Sequence, residues 1–381
     1  MKDKFRLPFL IAVCITIIFQ LASCSSAVVR IAVNSEKQDT TSTGIINADN
    51  TNIQYIGRFD FTNPKKVEFN WPGVYICTRF KGTSCSIRLE DSTNEYSVII
   101  DNQAPKVVIP GNAKILRVAS GLSDSVSHTI MLRKKTEAFL GRGVFEGFIL
   151  DKGAALLPPD KRPDRRIEFI GNSITCGYGV LGDSTNCHFS PQTEDAGLSY
   201  AAILSRRLNA DYNLIAYFGK GMVRNYGDKN KTSVNPMPSL YDRTCWYDST
   251  LKWNPAAAGW VPQMVVINLG ANDFSTKPFP DKNVFEEAYN SLINRVRLLY
   301  PHVTIFCVSG PMIGEPCTDY VREVVKEQQQ SEKQNEDVFF IEIPHSNLNS
   351  KDWGCDGHPN IYGSYKMVET MLPVVRVRMG W

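Results

Sequence analysis

The sequence predicts two domains in series, an all-β sandwich followed by an α/β domain built on a parallel sheet. Three observations carry this expectation. At 381 residues the chain exceeds one ordinary domain. From Tyr55 to Leu150 short apolar or alternating runs are separated by turn residues, and none is long enough for a typical helix. After a proline-rich break, continuous apolar runs alternate with helical patterns.

The chain opens with Lys2, Lys4 and Arg6, followed by an apolar run from Leu7 to Leu21, too short and too early for a membrane span. This reads as an export signal over residues 1–23. Its end, Leu21-Ala22-Ser23-Cys24, resembles a bacterial lipobox, which makes Cys24 the acylated first residue of an exported, membrane-anchored lipoprotein; a plain signal peptide is the alternative. The formal charge is +3, and loss of Lys2, Asp3, Lys4 and Arg6 leaves about +1. No basic block with interleaved aromatics points to nucleic acid. Either membrane face, periplasmic or cell-surface, is compatible with this reading.

Residues 24–52 are rich in Ser, Thr, Asn and Asp and read as a tether. Residues 53–150 hold the strand-like runs, among them Val74-Tyr75-Ile76-Cys77, Tyr96-Ser97-Val98-Ile99-Ile100 and His128-Thr129-Ile130-Met131-Leu132, broken at Pro-Gly, Lys-Gly and Ser-Gly steps. Their regular spacing predicts an antiparallel sandwich of jelly-roll type. Residues 151–166, with Pro158, Pro159 and Pro163 among charges, read as a linker.

From residue 167 to 381 the pattern is that of a parallel sheet covered on both faces. Strands are expected at Ile167–Ile170, Leu214–Phe218, Met264–Leu269, Val303–Val308 and Val338–Ile343. The clearest helix runs from Asp281 to Tyr300, where Val284, Phe285, Ala288, Leu292, Val296 and Leu299 share one face and Pro301 follows. Further helices are expected from Thr318 and from Asn360.

In such sheets ligands gather at the carboxyl ends of the strands. There the chain places Gly171-Asn172-Ser173-Ile174-Thr175, Gly270-Ala271-Asn272-Asp273 and Cys355-Asp356-Gly357-His358-Pro359. A serine hydroxyl needs a base to become a nucleophile, and the base needs an orienting partner. Of the 5 histidines only His358 has an acid two residues away on a turn after a strand, so Asp356 is the candidate partner of its Nδ1. An oxyanion would be met by the backbone N–H of Ser173, the N–H of Gly219 and the side-chain amide of Asn272, with Gly221 an alternative to Gly219. Taken singly, each of these is a common capping or turn residue; their ordered conjunction carries the catalytic reading.

These blocks, in this order, resemble those of the SGNH (GDSL-like) hydrolases, and a preceding sandwich makes the arrangement similar to carbohydrate esterase family 2. Gly219-Lys220-Gly221-Met222-Val223-Arg224-Asn225 and Leu240-Tyr241-Asp242-Arg243-Thr244 strengthen the likeness. The resemblance implies a flavodoxin-like three-layer second domain, a Ser173–His358–Asp356 triad and removal of acetyl groups from plant polysaccharide such as glucomannan or xylan. Some members of the family replace the acid by a backbone carbonyl; the presence of Asp356 favours the acid here. Thr175, where an α/β-hydrolase elbow needs glycine, argues against that alternative. The rivals are a general or lipid ester hydrolase and an inactive carbohydrate-binding lipoprotein.

Trp246, Tyr247, Trp253 and Trp260 lie between the second and third strands of the second domain, and Tyr226 lies in the glycine-rich loop. Trp246 and Tyr226 are the candidates for stacking on a sugar. Besides Cys14 and Cys24 there are 8 cysteines, and exported proteins form disulfides. The close pairs are Cys77/Cys85 and Cys176/Cys187. The second is favoured because it brackets a glycine-rich segment. No cofactor or metal is implied.

Overall fold

The computed structural model describes residues 44–330 and 337–381. Cys24 and most of the expected tether lie outside the described residues. The N-terminal domain contains β1 (Gly44–Asn47), β2 (Gln54–Ile56), β3 (Val67–Phe69), β4 (Tyr75–Lys81), β5 (Cys85–Glu90), β6 (Tyr96–Ile100), β7 (Lys106–Val108), β8 (Ile115–Ala119), β9 (Ser127–Lys134), β10 (Gly143–Leu150) and β11 (Ala155–Leu157). They form two antiparallel sheets. One has the order β1-β10-β5-β8 with β3 also on β10; the other has the order β11-β4-β9-β6-β7 with β2 on β4. Alternation explains the packing: Ile87 and Leu89 of one sheet and Ile76, Phe80, Val98 and Leu132 of the other turn inward to a common core.

Two boundaries differ from the sequence expectation. The tether stops short of residue 52, because Gly44–Asn47 pairs antiparallel with Gly147–Leu150 of β10. Likewise the linker supplies β11, which pairs with Arg79–Lys81. Both segments are short and half-exposed, so little apolar periodicity marks them; backbone hydrogen bonding at a sheet edge holds them.

The second domain has a parallel sheet of β12 (Arg165–Gly171), β13 (Ala210–Ala216), β14 (Met264–Asn268), β15 (Thr304–Ser309) and β16 (Val338–Glu342), in the order β13-β12-β14-β15-β16. Helices α1 (Ser173–Cys176), α2 (Tyr200–Arg207), α3 (Lys282–Leu299), α4 (Cys317–Gln330) and α5 (Ile361–Met379) complete it. Phe285, Tyr289, Val321 and Val324 of α3 and α4 bury against Val265, Ile267, Ile305 and Cys307 on one face. Ala201, Leu204, Met367 and Met371 of α2 and α5 bury against Phe169, Val266 and Phe306 on the other. Burial on both faces is why these strands read as unbroken apolar runs.

The strand order reverses between β12 and β14, and a crevice opens at their carboxyl ends. The N-terminal domain docks onto the flank of this sheet. Arg58 forms a wholly buried ion pair with Glu168 of β12 at 3.2 Å, and Trp71 Nε1 donates to the Thr244 carbonyl at 2.9 Å. The connection between β9 and β10 reaches further, to the loops around the crevice, where Trp246 Nε1 donates to the Ala138 carbonyl at 3.0 Å.

Candidate active site

The nucleophile candidate sits on a forced turn. β12 ends at Gly171, where a Cβ would lie 2.0 Å from Thr175 Oγ1, so only glycine lets the strand pass directly into α1. Asn172 caps that helix, its Oδ1 accepting from Ile174 N–H at 3.3 Å. Gly177 ends it in the left-handed region at φ 81°. Ser173 is therefore the first helical residue, with a backbone N–H that no intrahelical carbonyl can take.

His358 comes from the opposite side of the crevice. The loop carrying it is closed by a Gly354 N–H to His358 carbonyl bond of 2.7 Å, after which Asn360 caps α5 by accepting from Tyr362 and Gly363 N–H groups at 2.9 and 3.1 Å. This places His358 Nε2 2.8 Å from Ser173 Oγ, both side chains buried. The imidazole lies against the ring of Tyr178, centroids 4.1 Å apart. Burial lowers its pKa from 6.5 to about 4, opposed by the Cys355 carbonyl, the charge of Asp356 and the Asp356 carbonyl, so the ring is neutral near pH 7 and Nε2 accepts the serine hydroxyl.

The orienting partner is not the one expected. His358 Nδ1 donates to the Cys355 carbonyl at 3.3 Å. Asp356 has φ 51° and ψ 32°, a left-handed conformation that swings its side chain out of the line to His358. Its carboxylate accepts from the Tyr178 hydroxyl and from Phe189 N–H at 3.2 Å, and meets His188 Nδ1 at 2.7 Å. Burial acts against the Asp356 charge, but these donors outweigh it and hold the carboxyl below its ordinary range. Asp356 thus organises the wall of the site through Tyr178, while a backbone carbonyl orients the histidine.

The disulfide expectation is also corrected. Cys187 is bonded to Cys355, and Cys176 is free and buried. Being on α1, Cys176 turns toward the interior and the carboxyl of Glu137. The bond instead ties the 178–195 loop to the residue whose carbonyl orients His358.

For the oxyanion donors the structure discriminates between the two glycines. Gly221 N–H bonds the Asn225 side chain at 3.3 Å, and a Cβ there would lie 1.9 Å from the Arg224 carbonyl. Gly219, at φ 72°, has no partner for its N–H among the described residues. Asn272 Nδ2 donates to the Lys220 carbonyl at 2.8 Å, which fixes the amide and leaves its second N–H unused by that bond. The loop is anchored by Asp273, a residue whose role sequence reasoning missed. Its buried carboxylate accepts from Met222, Val223 and Arg224 N–H groups at 2.8, 2.7 and 2.8 Å. Burial still pushes its pKa up to about 6.

Ser173, Tyr178, Phe218, Tyr226, Asn272 and His358 line one cavity of about 530 Å³. Tyr226 is 62% exposed at its mouth, and its N–H donates to the Gly219 carbonyl at 2.8 Å. Trp246 is not among the lining residues. Its ring packs edge-on against Tyr217 and its indole N–H is used by Ala138, so it braces the domain junction. Tyr178 carries no periodic signal in the sequence, and Phe218, expected as the last residue of a strand, lies beyond its end because the strand runs Ala210–Ala216. Among the described residues no group of three or more His, Cys, Asp or Glu side chains is placed to hold a metal ion.

A parallel-sheet domain with a serine and a histidine at the switch point is the architecture of the GDSL-like hydrolases, and residues 169–364 match the GDSL-like lipase/acylhydrolase family model. Residues 55–159 match the carbohydrate esterase 2 N-terminal model. A solved family two carbohydrate esterase from Clostridium thermocellum, in complex with cellohexaose, is 37% identical, with a TM-score of 0.78 over 86% of this chain and 99% of that one. The chain belongs to the family 2 carbohydrate esterases. Cellulase/esterase CelE of Acetivibrio thermocellus is 39% identical over 342 residues, 87% of this chain. An acetylxylan esterase/glucomannan deacetylase of Cellvibrio japonicus is 37% identical over 216 residues, 56% of this chain. The chain spans only 40% and 58% of the lengths of these two relatives.

Proposed function

We propose that the protein is a serine esterase that removes O-acetyl groups from plant polysaccharide, acetylated glucomannan or xylan, through an acetyl-enzyme. The observation that carries this reading is the 2.8 Å approach of Ser173 Oγ to the Nε2 of a neutral His358. Ser173 attacks the acetyl carbonyl as Nε2 takes its proton, and the imidazolium so formed is held by the Cys355 carbonyl at Nδ1. The amides of Ser173, Gly219 and Asn272 receive the developing oxyanion. His358 then protonates the sugar oxygen as its bond to the acetyl carbon breaks, freeing the sugar hydroxyl, and, as base, activates the water that releases acetate.

The carbohydrate assignment is supported by the relatives named acetylxylan esterase/glucomannan deacetylase and by the cellohexaose complex of the Clostridium enzyme. In the same reading the N-terminal domain is a jelly-roll module that walls the cleft, and the chain is exported as a lipoprotein acylated at Cys24. Acetate release from acetylated mannan and xylan, compared between wild type and Ser173→Ala and against long-chain aryl esters, tests the function. No release by wild type defeats the esterase reading; preference for long acyl chains defeats the carbohydrate one. Palmitate labelling lost in Cys24→Ala tests the anchor.

A further inference from the structure

We infer that Glu137, contributed by the N-terminal domain, is a positioning residue that couples the nucleophile helix to the oxyanion loop. This rests on the esterase reading of Ser173, Gly219 and Asn272. Glu137 lies in the connection between β9 and β10 and is wholly buried. Its Oε2 accepts from the Phe218 N–H at 3.1 Å. The buried thiol of Cys176, on the same short helix as Ser173, faces this carboxylate, whose charge helps to hold the thiol protonated.

Phe218 directly precedes Gly219, so holding the Phe218 N–H fixes the peptide plane adjoining the one that carries the Gly219 amide. On the far side the Gly219 carbonyl accepts from Tyr226 N–H at 2.8 Å. The candidate oxyanion amide is thus held between two fixed points, one of them set by the other domain. Phe139, two residues beyond Glu137, packs on Phe218 and Phe189 at 5.9 and 5.6 Å between ring centroids and supports the same wall.

A second carboxyl completes the device. Glu194 is buried and its Oε2 accepts from the Glu137 N–H at 3.0 Å. One oxygen of each carboxyl group, Oε1, is buried without a partner if both groups are ionised. The two satisfy one another when Glu194 keeps its proton and donates to Glu137. Burial, and after it the charge of Glu137, raises the Glu194 pKa well above the ordinary carboxyl range, which favours that state. Burial raises the Glu137 pKa too, but the Phe218 N–H and the charge of Lys134 oppose that, so the negative charge of the pair rests on Glu137; Lys134 Nζ donates to the Thr136 and Glu137 carbonyls, both at 2.6 Å. An apolar side chain would fill this space without desolvating a charge, but would leave Phe218 N–H unpaired and free to turn.

The test compares wild type, Glu137→Leu and Glu137→Gln in the full chain, with acetylated mannan oligosaccharide as substrate and thermal melting recorded alongside. Glu137→Leu is expected to lower kcat about tenfold or more with KM within about twofold, because the oxyanion is bound only in the transition state. Inactivation by diethyl p-nitrophenyl phosphate, whose phosphoryl oxygen takes the oxyanion position, should slow in parallel. Glu137→Gln keeps an acceptor for Phe218 and a donor for Glu194, so kcat should stay within about threefold of wild type. If Glu137→Leu does not fold, Glu137→Ala supplies the same comparison. A variant without the acceptor that melts earlier yet keeps wild-type kcat per folded molecule overturns the inference, as does a glutamine variant as slow as the leucine one. Ser173→Ala separates the two claims: acetate release that survives this change defeats the esterase reading itself, whatever Glu137 does.

Discussion

His358 is oriented by Cys355, whose backbone carbonyl accepts from its Nδ1 at 3.3 Å, while the carboxylate of the next residue, Asp356, faces Tyr178 and His188. A carbonyl fixes the tautomer that leaves Nε2 as acceptor, but carries no full charge to stabilise the imidazolium. Asp356→Ala should therefore cost about tenfold or less in kcat, against about 10⁴-fold for loss of an acid that truly orients the base. Steady-state kinetics on acetylated mannan decides it, and a loss near the larger figure in a folded variant would restore Asp356 to direct contact with His358.

Removal of the chemistry itself should be steeper. Ser173→Ala is expected to lower kcat by about 10⁴ or more, and Asn272→Ala by about 10²–10³ with KM little changed. An Asn272→Ala variant in which KM alone rises would place the amide on the ground-state substrate instead.

The pH dependence follows from the depressed pKa of His358. Only the neutral ring accepts the serine proton, so kcat/KM should rise with an apparent pKa of about 4 and be full at pH 6, where a histidine at its ordinary 6.5 would still be mostly charged. The same shift bears on stability. Between pH 6.5 and about 4 the unfolded chain binds this proton and the folded one does not. This group therefore favours unfolding progressively as pH falls through that window. Rate profiles and melting scans from pH 3.5 to 8 read both.

Cys187–Cys355 closes a loop of 168 residues in sequence and ends on the residue that orients His358. Cys187→Ser should cost roughly 2–4 kcal/mol of stability by freeing the unfolded chain. It should also lower kcat more than KM, since the Cys355 carbonyl loses its anchor. Reduction of wild type by dithiothreitol, followed by activity and melting, should reproduce both effects; activity unchanged after complete reduction would confine the bond to stability.

The two glycines of the oxyanion loop should separate cleanly. A Cβ on Gly221 meets the Arg224 carbonyl at 1.9 Å and Asp273 Oδ2 at 2.5 Å, whereas one on Gly219 meets nothing nearer than 3.9 Å. Gly221→Ala is expected to destabilise by about 3 kcal/mol or more, and Gly219→Ala by only about 1 kcal/mol for its left-handed backbone. Denaturant unfolding of both variants measures the difference.

The sequence determined the two-domain order, the five parallel strands and the alternation of helices, because burial on both faces writes itself into composition residue by residue. It also determined that Ser173, Gly219 and Asn272 follow strands and that His358 precedes the last helix, since Gly171, Gly270 and the caps Asn172 and Asn360 are local signals. Tertiary structure alone decided the partners. Asp356 is separated from His358 by a left-handed turn, Cys187 reaches Cys355 across the fold rather than Cys176 nearby, and Trp246 is spent on the domain junction. Adjacency in sequence limits distance but not direction. The direction of a side chain, and the reach of Glu137 into the other domain, are set by backbone dihedrals and packing that no short window of residues contains.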